Sequence, residues 1–134
     1  MKTNDDVVKE WIHKARGDLR AMRITLREGT TEAACFHAQQ AVEKLLKAYL
    51  ISQDRDFPFT HDLVKLLAPA ARMDPAFRRY EAAAKALNPY AVNIRYPVYP
   101  TPTLAGARSV AARAERFARF LFERLGPLGE APRP

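Results

Sequence analysis

His37, Gln40 and Lys44 recur at i, i+3 and i+7. On a helix that spacing makes one stripe. An imidazole, an amide and an ammonium in a row bind a phosphate or the edge of a base. The same residues also suit a solvated face of an amphipathic helix. A second group is Asn93, Arg95 and Tyr96, followed at once by Pro97. A guanidinium clamps a phosphate through two hydrogen bonds while a neighbouring ring stacks on a base. Alternatively, this stretch is a rigid connector whose Tyr96 and Tyr99 pack on the domain. A third group is Arg108, Arg113, Arg116, Arg119 and Arg124, with Glu115 and Glu123 interspersed. It reads as a solvated face or as a contact for an RNA backbone, without a groove-reading motif beside it.

Other chemistries lack their residues. His13, His37 and His61 are evenly spread, and no two have the close spacing of a metal-binding helix or knuckle. No metal ligand and no cofactor are expected. Neither a GxGxxG nor a GxxxxGK[ST] loop is present, and there is no GxSxG elbow. Cys35 is the single cysteine, which excludes an internal disulfide and reads as a small core residue. No catalytic residue is assigned. The net charge of +7, from 22 Lys and Arg against 15 Asp and Glu, favours acidic partners such as nucleotides or RNA. No basic tail carries it; the excess is largest in residues 103–134.

These side chains must be positioned by helices. Ala, Leu, Arg and Glu dominate, glycine numbers five, and alternating apolar–polar runs are missing. A first helix starts near Thr3 or Asn4, follows Val8, Trp11, Ala15, Leu19, Met22 and Leu26, and ends at Gly29. A second starts at Thr30 or Thr31 and runs to about Ser52. Its apolar stripe includes Ala34, Ala38, Ala41, Val42, Leu45 and Tyr49, opposite a polar arc of His37, Gln40, Glu43, Lys44 and Lys47. After a loop, Thr60 caps a third helix that Pro69 ends or kinks. Asp74–Pro75 opens a fourth, to about Leu87, and Asn88–Pro89 breaks it. Residues 90–94 read as one further turn. The run 95–103, with three prolines, is an extended connector. Thr103 caps a last helix to about Leu125, stopped by Gly126–Pro127. The expected fold is all-α, an up-down antiparallel bundle of four long helices plus a short one. Residues 1–126 form the domain and 127–134 a flexible C-terminal tail. No apolar run spans a membrane and the first residues lack a signal-peptide core, so the expected location is cytoplasmic, without a membrane partner.

The stretch ACFHAQQAVEKLLKAYLI (residues 34–51), then THDL (residues 60–63), and later the Arg95-Tyr96-Pro97 element, resembles the HEPN domain family of bacteria and archaea. The resemblance implies a helical bundle, usually a homodimer, that binds nucleotide or RNA. It also implies a minimal nucleotidyltransferase partner in a toxin–antitoxin-like pair. Many members are metal-independent endoribonucleases bearing an R-x(4–6)-H motif before the last long helix. Here Arg95 occupies that neighbourhood, but no histidine follows it, which points away from catalysis. The pattern recurs once, as Arg55 with His61, in the connector before the third helix. The binding residues expected from stripe and connector together are His37, Gln40, Lys44, Asn93, Arg95 and Tyr96. The competing readings are a ribonuclease toxin with a degenerate motif, using Arg95 and an unconventional histidine such as His37, and a non-catalytic structural partner.

Overall fold

The computed structural model describes residues 1–91 and 100–130. Five α-helices carry the fold: α1 (Asn4–Arg27), α2 (Thr31–Ser52), α3 (Leu63–Met73), α4 (Glu81–Leu87) and α5 (Leu104–Leu125). No strand occurs among the described residues, so the all-α expectation holds.

Local chemistry sets the ends. Thr3 and Asp6 form a reciprocal capping box at the start of α1. Its end is a turn through Gly29, whose φ of +78° is a conformation that favours glycine. That turn is short enough to fold α2 back along α1. Side-chain pairs show the antiparallel register: Asn4 with Asp54, Trp11 with Lys47, and Asp18 with Lys44 and His37. Thr103 caps α5 through the Gly106 amide, and Gly126 closes it at φ +60°. The helix α5 lies parallel to α2, because Thr101 and Pro102 bond Glu32 and Thr31 at one end while Phe77 joins Tyr49 to Phe120 at the other.

The third arm of the bundle is a hairpin of two shorter helices. Asp74 and Pro75 stop α3, and residues Pro75–Tyr80 wind as a 3-10 helix before α4 begins. After α4, a second 3-10 turn, Asn88–Ala91, brings the chain back to the start of α3. There Asn88 bonds Asp62 at 2.8 Å and accepts the Leu63 amide at 2.8 Å. Three sequence expectations need correction in this arm. The fourth helix opens at Glu81 and not at Asp74–Pro75, because Pro75–Tyr80 wind as a 3-10 helix capped by Asp74. The cap of α3 is Asp62, which accepts the Val64 amide at 2.9 Å, whereas Thr60 only bonds the Asp62 amide. Pro69 does not end α3, which continues to Met73 with the proline inside it. The carbonyl that loses its N–H partner to the proline belongs to Lys65, an exposed residue.

The core explains why α2 is the central helix. Fourteen of its 22 residues are buried, against six of 24 in α1. Ala34, Ala38, Ala41 and Ala48 let neighbouring helices approach it closely, and Leu45, Leu46 and Leu50 fill the space between. A helix surrounded in this way has little room for a solvated face. Past Gly126, a 3-10 turn (Gly126–Gly129) folds back on α1, where the Arg16 guanidinium bonds the Gly129 carbonyl and covers the Phe122 ring. Residues 127–130 of the expected tail thus include a packed turn.

Candidate functional site

The polar arc of α2 faces protein rather than water, and this corrects the expectation of an exposed stripe. His37, Gln40 and Lys44 are half-buried, and Glu43 and Lys47 are buried. Each is tied to a partner. His37 Nδ1 lies 2.8 Å from Asp18 Oδ1, and Lys44 Nζ bonds Asp18 Oδ2. Gln40 donates to Gln39 Oε1 at 2.7 Å.

Asp18 organises the first of two clusters. It sits on the buried face of α1, between Ala15 and Met22 at helical spacing. A buried carboxylate is tolerable only with partners, and α2 supplies two. His37 and Lys44 are seven residues apart, about 10 Å along the helix axis. Their polar ends nevertheless converge on the two oxygens of one carboxylate. A carboxylate accepts, so Nδ1 carries the hydrogen and Nε2 faces away from Asp18. Asp18 takes one of the three Lys44 hydrogens. The side chains of His37 and Lys44 keep 28% and 21% of their surface exposed, so His37 Nε2 and the remaining Lys44 hydrogens stay within reach of a ligand.

The second cluster lies one turn further along. Glu43 accepts from Gln39 at 3.1 Å, from Lys47 at 3.0 Å and from His61 at 3.0 Å. Burial by itself would push the Glu43 carboxyl up; these three hydrogen bonds and the Lys47 charge outweigh it and hold it below its ordinary value. Lys47 is sandwiched near the rings of Trp11 and Phe57, with centroids at 5.4 and 5.2 Å. Gln39 also donates to the His61 carbonyl at 3.1 Å, fixing the loop before α3. This cluster is a structural clamp whose charges are satisfied internally.

Asn93, Arg95 and Tyr96 lie outside the described residues, as does most of the connector. Its flanks are described. Tyr90 is half-buried on one side, and Thr101 and Pro102 bond the N-terminal end of α2 on the other. The second R-x(5)-H match does not form a unit. Arg55 lines a cleft with Asn4, Asp54 and Phe57, while His61 is held by Glu43 outside that cleft. Cys35 is fully buried, and burial pushes its thiol up to about 11, so it is unreactive. No group of three metal-ligating side chains occurs among the described residues. No described helix is long and apolar enough to cross a membrane.

Sequence reading missed Asp18 and Gln39. An acid within the apolar series of α1 was the available sign for Asp18. Gln39 had none, since it precedes Gln40 and only the packing of α3 against α2 distinguishes the two.

The stretch that builds both clusters is also the one with a family signature, and the HEPN domain family model matches residues 8–125. The chain belongs to the HEPN domain family. Membership places it among nucleotide- or RNA-related helical modules. Two solved structures resemble this HEPN chain. TT1696 from Thermus thermophilus is 28% identical, with a TM-score of 0.78 over 87% of this chain and 97% of that one. ST0689, an archaeal HEPN homologue, is 28% identical, with a TM-score of 0.73 over 93% of this chain and 99% of that one. No curated protein matches the chain.

Proposed function

We propose that this HEPN chain binds a nucleotide or RNA at the Asp18–His37–Lys44 cluster and works as a homodimer beside a minimal nucleotidyltransferase in a toxin–antitoxin-like pair. The observation that carries the binding reading is the convergence of His37 and Lys44 on one carboxylate. Asp18 preorganises an ammonium and an imidazole side by side, so a ligand phosphate meets the remaining Lys44 hydrogens already in place while His37 Nε2, the acceptor nitrogen of the neutral ring, faces a ligand hydroxyl or amine. Asp18 and Lys44 cancel in charge, so a bound phosphate needs a further cation. Arg95 of the connector is the residue assigned to supply it, with Tyr96 as the stacking face and Gln40 and Asn93 as amides for base or sugar edges. Equilibrium binding of ATP tests this. Arg95→Ala and Lys44→Ala should each weaken binding about tenfold, the scale of one charge-assisted hydrogen bond. The Arg95→Ala protein should keep its helical spectrum and melting temperature. Wild-type affinity in both variants would return the cluster to a purely structural role.

A second reading, a metal-independent ribonuclease, draws on the 2.8 Å contact of Asp18 with His37. An imidazole oriented by a carboxylate is suited to take a proton from a 2′-hydroxyl. This reading predicts RNA cleavage in the presence of a chelator, abolished in His37→Ala.

A further inference from the structure

We propose that the cleft between the 3-10 helix Pro75–Tyr80 and α5 is a second anion site, a track for the phosphodiester backbone of a single RNA strand. The cleft has a volume of about 270 Å³ and is lined by Arg79, Tyr80, Arg116, Arg119, Phe120 and Glu123. It holds three guanidiniums against one carboxylate.

Partner use separates these arginines from their neighbours. Arg124 is neutralised by Asp74 at 2.8 Å, and Arg23 by Glu115 through two hydrogen bonds of 2.9 and 2.7 Å. Those pairs tie helices together. Arg116 and Arg119 are exposed and form no ion pair or hydrogen bond among the described residues. Arg79 spends one N–H on the Ala76 carbonyl at 3.3 Å, and its guanidinium sits 5.6 Å from the Phe120 ring. Two elements therefore bring guanidiniums to one concavity, those of Arg116 and Arg119 without an ion pair among the described residues and that of Arg79 near Asp74, a geometry that suits phosphate oxygens.

The floor of the cleft indicates the kind of partner. Phe120 is only 4% exposed, and Tyr80 is half-buried and stacked on Phe117 with centroids 4.7 Å apart. Protein partners concentrate their energy on apolar anchors that become buried on contact. Here the Phe120 ring is already covered and the Tyr80 ring is stacked on Phe117, so neither is a free anchor, and the charged groups of the lining are three guanidiniums and one carboxylate. A polyanion with repeated phosphates uses such a surface, while an acidic peptide lacks an anchor point. The cleft is concave and carries no protruding element to enter a groove, which favours one strand over a duplex. None of its lining residues belongs to the α2 cluster. The inference goes beyond the reading above: the cleft takes an RNA strand whether or not a nucleotide binds at α2.

The test is a titration of the full chain with fluorescein-labelled oligouridylate from about 50 to about 200 mM KCl, run beside ATP binding. The double variant Arg116→Gln, Arg119→Gln should keep the wild-type helical spectrum, because neither guanidinium has a partner to lose. It should bind RNA about tenfold more weakly at low salt, with a log affinity against log salt slope shallower by about 1.4, the value for two lost single-strand phosphate contacts. Its ATP affinity should be unchanged. Lys44→Ala reports separately on α2: if it leaves ATP binding intact while the arginine variant loses its salt slope, the α2 reading fails and the cleft stands. Unchanged RNA affinity and slope in the double variant would overturn the proposal. Displacement of RNA by polyglutamate as readily as by unlabelled RNA would overturn it in favour of an acidic protein partner.

Discussion

Glu43 shows how a single side chain on α2 serves the fold. Its side chain is 4% exposed and pairs with Lys47, itself 10% exposed, so removing either leaves a buried charge without its partner. Glu43→Ala should cost about 3 kcal/mol, measured by denaturant unfolding. The pH dependence has a definite sign. The folded Glu43 carboxyl is held below its ordinary value of 4.5, so its contribution is complete above that value. It is lost as the pH falls through the lower, folded value. Asp62 behaves alike, held low first by the Asn88 amide. Melting temperature should therefore fall on acidification below about pH 4.5, and Glu43→Gln should flatten that fall. At this scale the sequence was half legible. His37, Gln40 and Lys44 were found by spacing, and they do share one side of α2. Their partners were not found, because spacing within one helix says nothing about which residue of another helix stands opposite. An exposed arc was the natural inference from charged residues, and tertiary packing overrode it.

The elements were more legible, because caps and breakers act locally. Thr3, Gly29, Thr103 and Gly126 mark helix ends through hydrogen bonds or backbone conformations that a few neighbouring residues determine. Helix α3 resisted the same treatment. Its cap lies two residues beyond Thr60, and Asp62 prevails because Asn88, arriving from the end of α4, adds a hydrogen bond that Thr60 has no counterpart for. Asp62→Ala removes both the cap and this clamp and should destabilise by about 2 kcal/mol in chemical denaturation. Pro69 gives a contrary prediction. Helix α3 tolerates it without breaking, but the proline still removes an N–H from the helix interior. Pro69→Ala should raise the melting temperature by several degrees, since alanine restores that bond at a small cost in unfolded-chain entropy. A lower melting temperature in this variant would show that the pyrrolidine ring packs better than the methyl group.

At the scale of the whole molecule, an all-α bundle followed from 3.6-residue periodicity alone, whereas the lengths within the third arm did not. Asp74–Pro75 and Asn88–Pro89 were visible as breaks, but a break does not say that the chain doubles back to meet Leu63. Assembly belongs to this scale as well. The proposed homodimer predicts sedimentation at twice the chain mass at micromolar concentration, and a monomer throughout that range would contradict it. The central claim is narrower: a nucleotide meets the protein where Asp18 gathers His37 and Lys44. The most direct measurement follows the imidazole resonances of the three histidines during an ATP titration of the intact chain. His37 should shift saturably, while His13, exposed on α1, should not move with the same curve. Saturable binding that leaves His37 unmoved, or no binding at all, would contradict the account.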